Sequence, residues 1–164
     1  MTSAETLLAL HLTGVVGPRR LKSAKAFFPD LSGLFGTSEE RLAALPDWNA
    51  SSARKVAAFP DPAGRVEREL EVAGKFGIRV LVEGEPGFPG MLRDLYDPPF
   101  VLWLWGNYLP EDEKAIAVIG CRKPSAYGRQ AALRLSEDVA RAGYTVVSGL
   151  AQESMPRAKP ETTV

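Results

Sequence analysis

The residue types best suited to chemistry lie in the segment 115–128, Ala-Ile-Ala-Val-Ile-Gly-Cys-Arg-Lys-Pro-Ser-Ala-Tyr-Gly. An apolar run typical of a buried strand ends at Gly120, and a helix is predicted to begin near Ser125. The unpaired N–H groups at a helix start attract anions. Gly120 allows close approach of the backbone, and Arg122 can donate two hydrogen bonds to a phosphate. The segment therefore predicts a phosphate site at the carboxyl end of a strand.

The distribution of charge supports this prediction. The whole chain is balanced, with 20 basic and 20 acidic residues, which excludes a histone-like polycation. Residues 114–136 hold five basic and no acidic residues: Lys114, Arg122, Lys123, Arg129 and Arg134. We expect Arg129 and Arg134 to lie on a solvated helix face. Arg122 and Lys123 lie in the loop, where a role in binding is favoured.

Standard nucleotide-binding motifs are absent from this segment. Neither G-x-G-x-x-G nor G-x-x-x-x-G-K-[ST] occurs, and Ser148 and Gly149 stand where a NAD site would favour an acidic residue. A cysteine phosphatase would need an arginine at the position of Tyr127, so Cys121 is interpreted as a small residue in a tight turn. No cofactor is expected.

The chain has one cysteine and one histidine, which excludes a disulfide framework and leaves little for a zinc site. His11 lies among leucines and is interpreted as a packed or surface residue rather than a catalytic one. No segment approaches the ~20 apolar residues that span a bilayer. The start, Met1 to Glu5, lacks the basic residues of a signal peptide. A cytoplasmic protein without membrane contact is expected.

Residues 1–76 are predicted to form helices with short breaks. A first helix contains the leucines 7–12, and a second begins at Pro18 and ends before Pro29. The third helix is predicted to be capped by Thr37, through a capping box with Glu40. The fourth is predicted to be capped by either Ser51 or Ser52. The last helix is predicted to begin at Asp61-Pro62 and to end at Gly74 or Gly77.

The pattern changes near Gly77. Four short apolar runs are predicted as buried strands: Ile78–Val82, Phe100–Trp105, Ala115–Ile119 and Tyr144–Ser148. A helix over about 125–142 lies between the last two and predicts a parallel βαβ unit. Its apolar face is predicted to hold Ala131, Leu135, Val139 and Ala142. Trp103 and Trp105 are predicted to cover their strand rather than to stack nucleic-acid bases.

These patterns predict an α/β protein with two domains. The helical domain covers residues 1–76, and the first part of a parallel-sheet domain covers 77–151. The remainder, 152–164, is rich in Pro, Lys, Glu and Thr and is predicted to be disordered.

The helical part contains a second candidate for nucleic-acid contact. Gly-Val-Val-Gly-Pro, within residues 10–28, resembles the turn of a helix-hairpin-helix, which presents backbone amides to a phosphate. Residues 42–56 resemble a degenerate second copy, although a plain helical hairpin explains both equally well. The four basic residues that follow the turn are predicted to be solvated surface: Arg19, Arg20, Lys22 and Lys25.

Three stretches of the sequence carry a resemblance to a known family. The first is residues 7–45, with Gly-Pro at 17–18 and Ser-Glu-Glu at 38–40. The second is residues 88–106, with Phe-Pro-Gly-Met-Leu and Asp-Pro-Pro-Phe-Val-Leu. The third is residues 118–151, with Val-Ile-Gly-Cys-Arg and Ser-Gly-Leu-Ala. In this order the chain resembles the DNA-processing protein A family, also called DprA or Smf.

The resemblance implies a helical SAM-like domain followed by a Rossmann-like domain. It implies a non-enzymatic protein that binds single-stranded DNA during natural transformation and recombination, helps to load the recombinase RecA and forms homodimers. The family's DNA-contacting arginine falls on Arg122, and the glycine before it falls on Gly120. The full set of candidate DNA- or phosphate-binding residues is Gly120, Cys121, Arg122, Lys123, Ser125, Tyr127, Gly128, Ser148 and Gly149.

The sequence departs from the family pattern at two places. Cys121 replaces the serine of the family's Gly-Ser-Arg, which removes a hydroxyl donor. After Ala151 the family continues with Arg-Gly-Ile-Asp and a later histidine, whereas Gln152 and Glu153 follow here. The expectation is a truncated or frame-shifted member that lacks the usual surfaces for dimerisation and for RecA.

Two alternative functions stay open at this point. One is a nucleotide-processing enzyme of Rossmann fold, similar to phosphoribohydrolases. Such an enzyme would show a Pro-Gly-Gly-x-Gly-Thr-like loop and a downstream glutamate, and neither occurs. The other is a folded remnant that binds nothing.

Overall fold

The computed structural model describes residues 1–121 and 123–149. The chain forms two compact units, Met1–Trp105 and a second that begins at Gly106. The sequence predicted a boundary between residues 76 and 77. The structure instead groups the first two strands with the helices. Whether residues 1–76 fold alone stays a prediction. The predicted disordered tail lies outside the described residues.

The first unit holds five α-helices, two 3₁₀ turns and two strands. The helices are α1 (Ser3–Leu12), α2 (Pro18–Phe27), α3 (Glu39–Ala43), α4 (Ala50–Ala57) and α5 (Pro62–Lys75). The 3₁₀ turns cover Leu31–Gly36 and Gly90–Asp94, and the strands are β1 (Ile78–Val82) and β2 (Val101–Trp105).

The helix starts follow from local capping. Pro18 and Pro62 occupy the first turns of α2 and α5, as predicted, because a proline lacks the N–H that would be unpaired there. The other two predicted caps are wrong by one to three residues. Ser38, rather than Thr37, caps α3, and Asn49 caps α4 by accepting from Ser52 N. A neighbouring Ser, Thr or Asn can compete for the same backbone N–H, so several candidates were chemically equivalent.

The core of the first unit lies among the helices. Its largest fully buried side chains are Leu8, Leu10, Leu34, Leu42 and Val56. Val82 of β1, Val101 of β2 and Phe100 directly before β2 join the same cluster. This sharing of one core explains why the compact unit continues to Trp105.

The two strands of the first unit form an antiparallel pair. Ile78 lies opposite Trp105, and Val82 lies opposite Val101. Leu81 and Val82 are buried as predicted, but Trp105 is 67% exposed, so the prediction of a fully buried run is wrong for β2. A two-stranded antiparallel ribbon packs one face on the helices and leaves the other in water.

The second unit contains a βαβ arrangement, as predicted. A 3₁₀ turn at Pro110–Glu113 leads into β3 (Ala115–Ala117), followed by α6 (Ala126–Arg141) and β4 (Thr145–Val147). β3 and β4 are parallel, with Ala117 opposite Val147. The buried Asp112 carboxylate accepts from Leu109 N at 2.7 Å and from Thr145 Oγ1 at 2.8 Å. This carboxylate ties the turn before β3 to the start of β4.

The apolar face of α6 differs from the prediction. Leu135 is 55% exposed, and Ala131 and Ala142 are exposed as well, so the predicted face is wrong except at Val139. The half-buried positions of the helix include Gly128, Ala132 and Val139. In the described residues from Gly106 onward, no hydrophobic side chain is fully buried. A helix against two short strands has only a narrow contact, so sequence periodicity does not fix its rotation.

None of the helices within residues 1–121 and 123–149 is long and apolar enough to cross a membrane.

Candidate functional site

The candidate site is the connection from β3 to α6, which we call the β3–α6 loop (residues 118–125). Backbone pairing continues one residue past β3, because Val118 N donates to Val147 O at 2.8 Å. Since β3 and β4 are parallel, their carboxyl ends lie at the same edge. The residues that directly follow β3 therefore lie beside those that directly follow β4, which include Ser148 and Gly149.

Ser125 begins the helix at the end of this loop. It has an extended backbone, and its Oγ accepts from Gly128 N at 3.1 Å. Its carbonyl oxygen accepts from Arg129 N at 3.0 Å. The side-chain bond satisfies one first-turn N–H group, whereas the first-turn N–H groups before it have no acceptor within the helix. Ser125 thus sets the start of α6 and the direction in which those groups point.

Gly128 lies beside the cap. A Cβ at this position would lie 3.4 Å from Ser125 Oγ and 3.7 Å from Pro124 Cβ, which are ordinary van der Waals distances. The space beside the cap would therefore accept a small side chain.

The basic side chains near the loop have different surroundings. Lys123 is exposed in the loop. Arg129 Nη1 donates to Pro124 O at 3.1 Å, so its guanidinium reaches back over the loop. Arg129 and Arg134 are both exposed on α6, as predicted. No acidic residue occurs between positions 114 and 136 to neutralise this group.

The remaining predicted site residues are accessible in different degrees. Gly120, Cys121 and Gly149 are exposed, and Ser148 is half-buried. Tyr127 is 81% exposed in the first turn of α6, where its ring is open to a ligand. Arg122, the residue on which the prediction depended most, lies outside the described residues.

The turn between α1 and α2 was the second candidate. Gly14 has a φ of +70°, in the left-handed region that favours glycine. Arg20, predicted as solvated surface, instead donates from Nη1 to Val15 O at 2.6 Å and from Nε to Asp47 O at 2.9 Å. Trp48 Nε1 donates in turn to Arg20 O at 3.2 Å. Arg20 thus links the turn between α1 and α2 to the turn between α3 and α4. No local sequence signal indicated this role.

His11 is half-buried and packs as an aromatic ring. Its ring centroid lies 5.5 Å from that of Phe100 and 5.1 Å from that of Trp103. Burial lowers the pKa of His11 below its usual value, and the negative charge of Glu69 opposes this shift. Trp103 Nε1 donates to Glu69 Oε1 at 2.8 Å, which links β2 to α5. These ring contacts confirm the prediction that His11 is a packed residue.

Across the described part of the chain, no group of three or more His, Cys, Asp or Glu side chains gathers where it could hold a metal ion.

The comparisons with known proteins concern the segment that carries the candidate site. Residues 79–153 match the family model of the DNA recombination-mediator protein A. The match includes β3, α6, β4 and the whole β3–α6 loop, and it begins one residue inside β1. Over this segment the chain is similar to that family.

Curated relatives extend the same assignment. The chain is 34% identical over 88 residues to the DNA processing protein DprA of Bacillus subtilis, covering 53% of this chain and 30% of the relative. It is 28% identical over 122 residues to Protein Smf of Borreliella burgdorferi, covering 74% of this chain and 34% of the relative. Over these regions the chain is therefore similar to DprA and Smf proteins. It spans about a third of the length of these two relatives. No solved structure matches it.

Proposed function

We propose that this chain binds single-stranded DNA through the β3–α6 loop and acts in DNA uptake and recombination. The observation that carries the proposal is the family match over residues 79–153, which includes that loop and the start of α6. The family model is that of a DNA recombination mediator, and one matched relative is named a DNA processing protein.

The physical basis is attraction between the loop and phosphate. The exposed Lys123 and the start of α6 lie on one short segment with Arg122, and no acidic residue interrupts residues 114–136. Positive charge and backbone N–H groups bind the phosphate backbone irrespective of base sequence. We therefore propose binding with little sequence preference, with the nine predicted residues from Gly120 to Gly149 forming the contact surface.

The finer family properties belong to the same proposal. We propose that the first unit is SAM-like and that the βαβ unit is the beginning of a Rossmann-like fold. The proposed setting is the cytoplasm. The proposed partners are single-stranded DNA, the recombinase RecA and, in a homodimer, a second copy of the chain. The chain is proposed to be a binding protein and not an enzyme.

The experiment measures binding of a fluorescein-labelled oligodeoxythymidylate by fluorescence anisotropy at several salt concentrations. Arg122→Ala and Lys123→Ala are compared with Arg134→Ala, which removes an exposed charge from α6 outside the loop. A hydrogen bond to a charged group contributes about 1.5–3 kcal/mol, so Arg122→Ala should weaken binding by roughly tenfold or more. The slope of log affinity against log salt should become shallower by about 0.7 for each lost contact.

The outcomes separate the functions. If both loop variants bind as tightly as the parent and Arg134→Ala, the loop is not the DNA site. If the parent does not bind but hydrolyses a nucleoside monophosphate, the enzyme alternative replaces the proposal. If the unmodified chain neither binds the oligonucleotide nor hydrolyses a nucleoside monophosphate, it is a folded remnant.

A further inference from the structure

A second basic surface lies in the first unit. It is a cleft of about 330 Å³ beside α2, which we call the α2 cleft. One wall is α2, and the other comes from the chain before β2. Its charged side chains and its exposed aromatic ring are Arg19, Lys22, Lys25, Glu83, Tyr96 and Asp97.

Three cations of the α2 cleft lie along one side of the helix. Arg19, Lys22 and Lys25 follow one another at intervals of three residues, which keeps them on neighbouring positions of the helix surface. All three are exposed. They span about 9 Å along the axis at ~1.5 Å per residue, so one ligand can reach more than one of them.

Their ion pairs leave these cations available. Lys25 Nζ lies 3.0 Å from Glu83 Oε2, and Arg19 Nε lies 3.7 Å from Asp97 Oδ1, both on the exposed surface. Exposed pairs of this kind contribute little to stability and are screened by salt, so an incoming anion can replace the carboxylate. Lys22 has no ion pair with any of the residues that the structure describes.

The opposite wall carries an aromatic ring that is open to solvent. Tyr96 is 87% exposed. The guanidinium carbon of Arg19 lies 5.7 Å from the centroid of this ring, and Arg19 Nη2 donates to Tyr96 Oη at 3.4 Å. An aromatic ring held at the edge of a basic groove is the combination that binds single strands, because every base has a π-face that can stack.

We propose that the α2 cleft binds one nucleotide unit of single-stranded nucleic acid. The base stacks on Tyr96, and its phosphate pairs with Lys22 and Lys25. This proposal rests on the proposed function in that it supplies a second contact for the same ligand. An acidic peptide would also pair with the lysines, but its carboxylates would not stack on the exposed ring of Tyr96. A nucleotide therefore fits the cleft better.

The test uses the full chain and a fluorescein-labelled oligodeoxythymidylate. Lys22→Ala and Tyr96→Ala should each weaken binding by about fivefold or more. Tyr96→Phe keeps the ring and should bind like the parent. The matched control is Lys55→Ala, which removes an exposed lysine from α4 of the same unit and should bind like the parent. All three positions carry exposed side chains, so circular dichroism should show an unchanged fold.

Each outcome decides between the proposals. If Lys123→Ala weakens binding while Lys22→Ala and Tyr96→Ala behave like Lys55→Ala, the cleft proposal is overturned and the loop proposal stands. If the cleft variants weaken binding and the loop variants do not, the reverse holds. A parent that binds no oligonucleotide overturns both. An oligoglutamate that binds through Lys22 independently of Tyr96 overturns the nucleotide in favour of an acidic protein partner.

Discussion

At the scale of single residues, His11 shows how the fold decides the chemistry of a side chain. The sequence places this histidine among leucines, and the structure packs its ring against Phe100 and Trp103. Burial favours the neutral imidazole, so the pKa of His11 lies below the usual 6.5. The proton then binds more readily to the unfolded chain than to the folded one.

We therefore predict that acid destabilises the fold through His11. Below pH 6.5 the unfolded chain takes up the proton first, so the free energy of unfolding falls as the pH drops from 6.5 towards the folded pKa. Above pH 6.5 the imidazole is neutral in both the folded and the unfolded chain, so protonation of His11 no longer lowers the free energy of unfolding. Urea denaturation at a series of pH values measures the effect, and an NMR titration of the chain's one imidazole gives the folded pKa directly.

His11→Gln provides the control, because glutamine does not titrate. Its stability should vary less with pH in the window just below 6.5 than that of the parent. A folded pKa at or above 6.5, or an equal decline in His11→Gln, would contradict the prediction.

At the scale of elements, Ser125 connects the stability of α6 with the proposed binding. It accepts from Gly128 N at 3.1 Å, and replacing a serine cap by alanine costs about 0.5–2 kcal/mol. Ser125→Ala should therefore lower the free energy of unfolding by about 1 kcal/mol. Ser125→Asp should keep the stability, since aspartate caps as well as serine, but it should weaken DNA binding by placing a negative charge beside the loop.

Chemical denaturation and oligonucleotide anisotropy measure the two effects of the Ser125 variants. Ser51→Ala is the matched control, because Ser51 is exposed in the first turn of α4 while Asn49 provides the cap. An unchanged stability of Ser125→Ala, or parent-like DNA binding by Ser125→Asp, would show that the cap does not organise the site.

At the scale of the whole molecule, the first unit is larger than the helical domain that the sequence suggested. Val82, Phe100 and Val101 belong to the core cluster of the helices, although they follow the change of pattern near Gly77. A strand pair that looked like the start of the sheet domain thus completes the core of the helical unit.

We predict that a fragment of residues 1–105 is more stable than a fragment of residues 1–76. Loss of a buried phenylalanine alone costs about 3–5 kcal/mol, which is a large share of the 5–15 kcal/mol typical of a domain. Residues 1–105 should unfold cooperatively, and residues 1–76 should melt at a lower temperature or not fold. Thermal melts followed by circular dichroism test this. Equal stability of the two fragments would contradict this prediction and support a domain boundary at residue 76.

The sequence by itself determined much of the secondary structure and the place of the candidate site. Pro18, Asp61-Pro62 and Ser125 mark helix starts through interactions that reach only three or four residues along the chain. The spacing of strand, helix and strand sufficed for the parallel pairing of β3 and β4, because a crossover of that length favours it. The loop between them could therefore be identified from the sequence as a candidate anion site.

Only the tertiary structure decided which side chains are covered and which are free. The exposure of Trp105, the rotation of α6 and the anchoring of Arg20 to Val15 and Asp47 all depend on elements distant in sequence. Likewise, Tyr96 and α2 lie far apart in the chain yet line one cleft. Burial depends on which elements pack against each other. Local periodicity predicts that a helix or strand has an apolar face, but it does not predict which element covers that face.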